Sequence, residues 1–216
     1  MRVRGIALLM GLVLLAAISL LALMAVNGML LQRRMSGNFS ADSAALADAT
    51  RATVAAQAWL NSRADIERET GCLDPCLLPV AIRGPGELPP HPEFESLAWW
   101  RAHATAAGAH PATGESLGAS AVGTESPRWI IEEVHYAPIT APATEPLVEG
   151  IGYYRIFARG GGRSPGSLAV TESIVARPWD GQIEPLPYPP DEPPGTFCRQ
   201  FDAALPCGVQ AWRQRR

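Results

Sequence analysis

Between Gly5 and Leu31 the chain carries no charged residue, and Ile6–Val26 is apolar apart from Gly11 and Ser19. A helix rises about 1.5 Å per residue, so roughly 20 such residues cross the hydrocarbon core of a bilayer. The stretch is therefore of membrane length. No proline follows until Pro75, so nothing in the backbone stops the helix where the apolar run ends.

The side chains that follow carry a helical pattern. An apolar or small residue recurs at Met35, Phe39, Leu46, Ala49, Thr53, Ala56 and Leu60, in alternating steps of three and four with Asp42 out of place. The helix is expected to run on, amphipathic, to about Arg68, giving some 60 residues on the order of 90 Å. Its weakest points are Gly28 and the Gly37-Asn38 pair. The stripe is mostly alanine, so whatever packs on it comes close. Gly71-Cys-Leu-Asp-Pro-Cys76 reads as the stop signal, with glycine at the end and proline soon after.

A cleaved secretory signal is the alternative for the first residues. The apolar run is longer than such a core needs, and cleavage near Asn27 leaves the amphipathic continuation unexplained. Arg2 and Arg4 before the run balance Arg33 and Arg34 after it, so positive charge does not set the orientation. The short N-terminal stretch and the distal cysteines do, placing the N-terminus in the cytoplasm and the bulk outside it.

Cys72, Cys76, Cys198 and Cys207 all lie beyond the apolar segment, and an even count in an exported region fits disulfides. Four cysteines allow three connectivities, of which the local one, Cys72 with Cys76 and Cys198 with Cys207, is favoured. The spacings, with His91, His103, His110 and His135 scattered, form no compact zinc pattern. No metal or other cofactor is expected. The net charge of −3 and the lack of a basic stripe with interleaved aromatics argue against nucleic acid. All 18 basic residues are arginine, which removes any lysine-dependent phosphate loop.

Past the cysteine pair, Leu77–Ile82 reads as a short extended piece and Glu95–Ala104 as a short helix with Leu97, Trp100 and His103 on one face. Thr105–Ser126 has no period and reads as a surface loop. Arg128–Pro138, Ile151–Arg159 and Ser167–Arg177 are rich in β-branched and aromatic residues and predict an antiparallel meander, its last two strands joined by the loop Gly160–Gly166. One face of the sheet is left to cover the helix. The prolines between Pro185 and Pro194 force an extended path without ladder hydrogen bonds, and the chain ends in the Cys198–Cys207 loop and an arginine-rich tail.

Several motifs resolve into ordinary structure. Gly162-Arg-Ser164-Pro-Gly166 matches a hydrolase nucleophile turn, but strand-like residues follow where a helix is required, so it reads as a hairpin loop. Glu132 and Glu133 are neighbours on a strand and point to opposite faces, so they form no acid/base pair. Asn38-Phe-Ser40 is a glycosylation sequon on a helix beside the membrane and is set aside. Trp99-Trp100, Tyr153-Tyr154 and Trp179 read as core or edge packing before recognition.

Arg4-Gly5 followed at once by an apolar helix resembles a class III signal, cut after the glycine by prepilin peptidase. Leu31-Gln-Arg-Arg-Met-Ser-Gly-Asn38 resembles the Gln-x-Arg-Met-(Ala/Ser)-Gly-Asn pattern of the PilX family of type IV pilus minor pilins, carried here by Gln32, Arg34, Met35, Gly37 and Asn38. Tyr154-Arg-Ile-Phe-Ala-Arg-Gly160, with Leu168–Ala176 after it, is similar to that family's hairpin, through Tyr154, Arg155, Arg159 and Gly160. Cys72–Ser126 and the proline-rich end match no pattern of the family.

The resemblance implies an α+β, pilin-like fold: a long N-terminal helix, transmembrane in its first half and amphipathic in its second, packed on a small antiparallel sheet, with a disulfide-closed segment near the C-terminus. The expected division is a leader at residues 1–5, an assembly helix at 6–31, its amphipathic continuation at 32–70 and an exported domain at 71–216, with the sheet near 128–177 and the proline and disulfide loops at 185–208. Gly5 and Ile6 would flank the cleavage, and the new N-terminus would be methylated. The implied role is structural, without catalysis: priming pilus assembly, with adhesion and twitching motility as consequences. The implied partners are other minor pilins, a tip adhesin, prepilin peptidase and the inner membrane before assembly. Met10 stands where most pilins carry glutamate, which suggests a place at or near the tip. Two alternatives remain: a K-type pseudopilin of type II secretion, and a single-pass membrane-anchored periplasmic binding protein or enzyme.

Overall fold

The computed structural model describes residues 4–63, 82–117, 125–139, 148–164, 166–179 and 185–215, with side chains from Leu8 onward. Helix α1 runs from Arg4 to Asn61 over 58 residues and stays helical through Gly28 and Gly37. The chain divides into two compact units, Met1–Ser40 and Ala41–Arg216. The helix stops at Asn61 rather than near Arg68. Ser62 N–H donates to the carbonyls of Ala58 and Trp59 (3.1 Å each) and Arg63 N–H to Leu60 (3.3 Å), which tightens the last turn. The Asn61 carbonyl accepts from Leu186 N–H (3.3 Å), and the Asn61 side chain donates to the Pro194 carbonyl (2.9 Å). A distant, proline-rich stretch thus takes the Asn61 carbonyl that a continuing helix would have used and holds the Asn61 side chain as well. The expected stop at Gly71–Cys76 lies outside the described residues.

The second unit is built on a six-stranded sheet. Strands β3 (Arg128–Pro138), β4 (Gly150–Gly161) and β5 (Leu168–Trp179) form the antiparallel meander the sequence predicts. The sheet is mixed rather than purely antiparallel, because β1 (Ile82–Arg83) pairs parallel with β3. Part of the expected loop after residue 104 is strand β2 (Thr105–Ala106), paired antiparallel with Trp129 and Arg128. Helix α2 (Leu97–His103) precedes β2, capped by Ser96 Oγ, which accepts from Trp99 N–H at 3.1 Å. The largest departure from the sequence reading is β6 (Gly208–Arg215), which pairs with β5 along a stretch expected to be a basic tail.

Within this unit, the Ala41–Asn61 part of α1 lies on one face of the sheet. Its buried line is Ala41, Ala45, Ala49, Ala52, Ala56, Trp59 and Leu60. The expected line is displaced around the helix: Ala49, Thr53, Ala56 and Leu60 are buried as predicted, but Leu46 is only partly so, and Met35 and Phe39 are exposed. Alanine on every side of the helix gives hydropathy little to choose by; the choice is made by the sheet. Ala52, Ala56, Trp59 and Leu60 meet Trp129, Ile131, Tyr154, Ile156, Ala158, Val175 and Trp179. Successive strand residues face opposite ways, so Ile130, Phe157 and Val170 pack on the other side against Trp100 of α2.

The helix approaches β4 closely at its N-terminal side. A Cβ on Gly160 would collide with the Ala45 carbonyl and the Ala49 amide, and one on Gly162 with the Ala41 carbonyl and Ser167. Small residues are therefore required on both partners. A separate cluster of Val148, Phe197 and Phe201 includes the Cys198–Cys207 disulfide, with Cα atoms 5.6 Å apart.

Candidate functional site

From Leu8 to Ser40 every side chain of α1 is exposed, including Leu9, Leu14, Leu21, Met29 and Leu31. A window of this helix has a mean hydropathy of 2.7, and the helix is long and apolar enough to cross a membrane. An uninterrupted apolar surface of this size marks lipid or protein contact. Its one hydroxyl between Leu8 and Leu31 is satisfied internally, since Ser19 Oγ donates to the Leu15 carbonyl at 2.9 Å. Met10 sits on this surface at 69% exposure and brings no charge to it. Gly5 and Ile6 lie in the first turns of the same helix. Gln32, Arg34, Met35, Gly37 and Asn38 are also exposed, and Gln32 and Met35 help to line a shallow apolar recess that opens at Gly28.

The residues of the hairpin motif divide between the two faces of β4. Tyr154 and Gly160 face the helix. Tyr154 is fully buried, its hydroxyl accepts from Trp179 Nε1–H at 2.9 Å, and Gly152 leaves room for its ring. Arg155 and Arg159 face the other way. Arg155 lies 3.2 Å from Glu132 and 3.5 Å from Glu172, and Arg159 lies 3.6 Å from Glu125. Burial pulls the Arg159 guanidinium below its ordinary range, against the pull of Glu125, yet an arginine so placed stays charged.

These pairs belong to a network that ties the last strand to the sheet. Glu172 accepts from Arg213 (2.8 Å) and Arg215 (2.6 Å), and Arg215 also reaches Glu93 at 2.9 Å. Burial alone would raise the Glu93 carboxyl. Hydrogen bonds from its own backbone, His91 and Arg215 outweigh that and hold it below its ordinary value. Glu132 accepts from the Gly86 amide (2.8 Å) as well as from Arg155, so its carboxylate is committed to structure.

The Ser164 carbonyl accepts from the amide and hydroxyl of Ser167 (3.1 and 2.9 Å), and strand β5 follows, so the sequence around Ser164 is a hairpin turn. Trp100, Tyr154 and Trp179 are core residues. Trp99 is half-buried and stacks on His103 at 4.7 Å, and Tyr153 stacks on His135 at 6.2 Å. Cys198 and Cys207 are joined as expected, while Cys72 and Cys76 lie outside the described residues. Sequence reasoning missed the network around Glu172, because its arginines stand in the unrecognised strand β6. It also missed the close approach at Gly160 and Gly162, for which the run of three glycines from Gly160 was the available signal.

Two family models match the chain. The model of the type IV pilus assembly protein PilX C-terminal region covers residues 41–177, and that of the PilX N-terminal region covers residues 4–58. No curated protein and no solved structure matches it.

Proposed function

We propose, for a chain that belongs to the PilX family of type IV pilus assembly proteins, that this minor pilin helps to initiate the pilus and sits at or near its tip. It acts by packing helix against helix, with no catalytic step. Before assembly the apolar part of α1 spans the inner membrane, with the N-terminus cytoplasmic and the sheet domain in the periplasm. Prepilin peptidase cuts between Gly5 and Ile6, and the partners in the filament are other minor pilins and a tip adhesin.

The observation that carries the tip placement is Met10, exposed on a helix surface without charge. It is the fifth residue after Gly5, where a carboxylate would neutralise the terminal amine of a neighbouring subunit. A carboxylate in lipid is costly until it finds such a partner, so its usual presence draws a subunit under the one before it. Without it the subunit is not recruited beneath another and is free to come first. In cells carrying Met10→Glu, pilus number should fall and the order of subunits at the tip should change. Unchanged number and order would remove the argument.

A further inference from the structure

Among the described residues the longest open edge of the sheet is that of β6, since on the other side β1 and β2 cover Arg128–Glu132 of β3 and leave the shorter stretch from Glu133 to Pro138. Strands β1 and β2 are two residues each, whereas the outer side of β6 has no strand partner from Gly208 to Arg215, the Gly208 carbonyl alone accepting from the Gln210 side chain at 3.2 Å. Such an edge offers a row of free backbone N–H and C=O groups and accepts a further strand. β6 contains no proline that would prevent this.

Two side chains make the edge selective. Val209 stands opposite Val175 and Trp212 opposite Ser173, because a bulge between Ile174 and Val175 leaves Gln210 out of register. Ser173 and Val175 share one face of β5, so Val209 and Trp212 share that face of β6 despite their odd spacing. Each is 50% exposed, a pair of large apolar groups on a strand whose inner neighbours are covered. Arg213 and Arg215 occupy the other face, opposite Glu172 and Val170. The side chain of Arg215 is 15% exposed and enclosed by Glu172 and Glu93, whereas that of Arg213 is 63% exposed even while it meets Glu172.

The charge decides what fits. From Gly208 onward the sequence holds Arg213, Arg215 and Arg216 and no acidic residue. Two copies paired through β6 would bring these cations together without adding a carboxylate, since Glu172 and Glu93 are already engaged by Arg213 and Arg215 within each copy, and a strand that brings only further arginines is the less favourable neighbour. We propose that β6 is a docking edge for an extended segment of a different polypeptide in which apolar residues alternate with acidic ones. Its apolar side chains cover Val209 and Trp212, its carboxylates turn to Arg213, and its backbone continues the ladder. The inference stands on the sheet edge alone and is independent of where the subunit sits in a filament.

The full chain, isotope-labelled in detergent micelles, is titrated with a synthetic peptide of about ten residues alternating valine with glutamate, and with its valine–lysine counterpart. The glutamate peptide should bind about tenfold or more tightly than the lysine peptide and slow amide exchange within Gly208–Arg215. Arg213→Gln should narrow that ratio. Trp212→Ser should weaken both peptides with the thermal midpoint retained, and Val209→Ser reads the same face if the tryptophan variant loses its fold. Equal affinity for the two peptides, or protection outside β6, would overturn the proposal. So would protection of β6 that rises with protein concentration alone, the mark of a second copy, or that appears only with phosphatidylglycerol vesicles, the mark of a lipid surface.

Discussion

Leu8–Ser40 and Ala41–Asn61 belong to one helix, and both are rich in apolar residues, yet the first is exposed throughout and the second buries a continuous line. The difference lies in side-chain size. The buried line is Ala41, Ala45, Ala49, Ala52 and Ala56 before it reaches Trp59, and it meets Gly160 and Gly162, where any side chain would strike the helix backbone. Up to Leu31 the exposed stretch carries leucine, methionine and valine on every side. Small residues suit contact with a sheet already present in the same chain, and large ones suit contact with something that surrounds the helix. Hydropathy alone does not separate these cases.

That contrast breaks first at Gly160. Gly160→Val should cost about 3 kcal/mol or more, or abolish folding, because the colliding atoms are helix backbone and have no rotamer to escape into. Urea denaturation followed by tryptophan fluorescence reads the loss, and a near-neutral result would show that the helix does not depend on close approach. Replacing both Cys198 and Cys207 with serine should cost about 2–3 kcal/mol, as expected for so short a loop, and speed amide exchange in β6.

A smaller effect tests the network on the opposite face. The Glu93 carboxyl is held below its ordinary value in the folded protein. Its contribution is therefore present above the unfolded value and lost as pH falls through the folded one. Glu93→Gln should flatten the loss of stability on the acid side and leave the neutral-to-basic side parallel to wild type, as measured by thermal midpoints across pH. The smallest change in stability is expected on the exposed stretch. Phe39→Ala should stay within about 0.5 kcal/mol in the denaturation assay, while lowering pilus number in cells. Loss of stability without loss of pili would reverse the roles assigned to the two stretches.

The sequence makes the helix and the three central strands legible because their signals are local: a charge-free run, a repeat of three and four, and β-branched clusters. The helix end is not legible, because Leu186 and Pro194, far along the chain, supply the groups that close it. Neither is strand β6. It holds one β-branched residue, and its arginines find Glu172 some 40 positions away in sequence. The rotation of the buried line escapes for a related reason, since Ala49 and Ala52 are equivalent until the strand beneath them is known. Of the candidate residues, Met10 stands on an exposed apolar helix, and the hairpin motif divides into a core half, Tyr154 and Gly160, and an ion-paired half, Arg155 and Arg159.

The central proposal is that α1 is an assembly helix whose leader is removed by prepilin peptidase, with membrane anchoring as its state before the subunit enters the filament. Intact-mass measurement of the chain purified from cells with an active prepilin peptidase tests it most directly. The account predicts a mature protein that begins at Ile6 with a methylated terminal amine. A mature chain that still begins at Met1, or one that begins after Asn27, would contradict it.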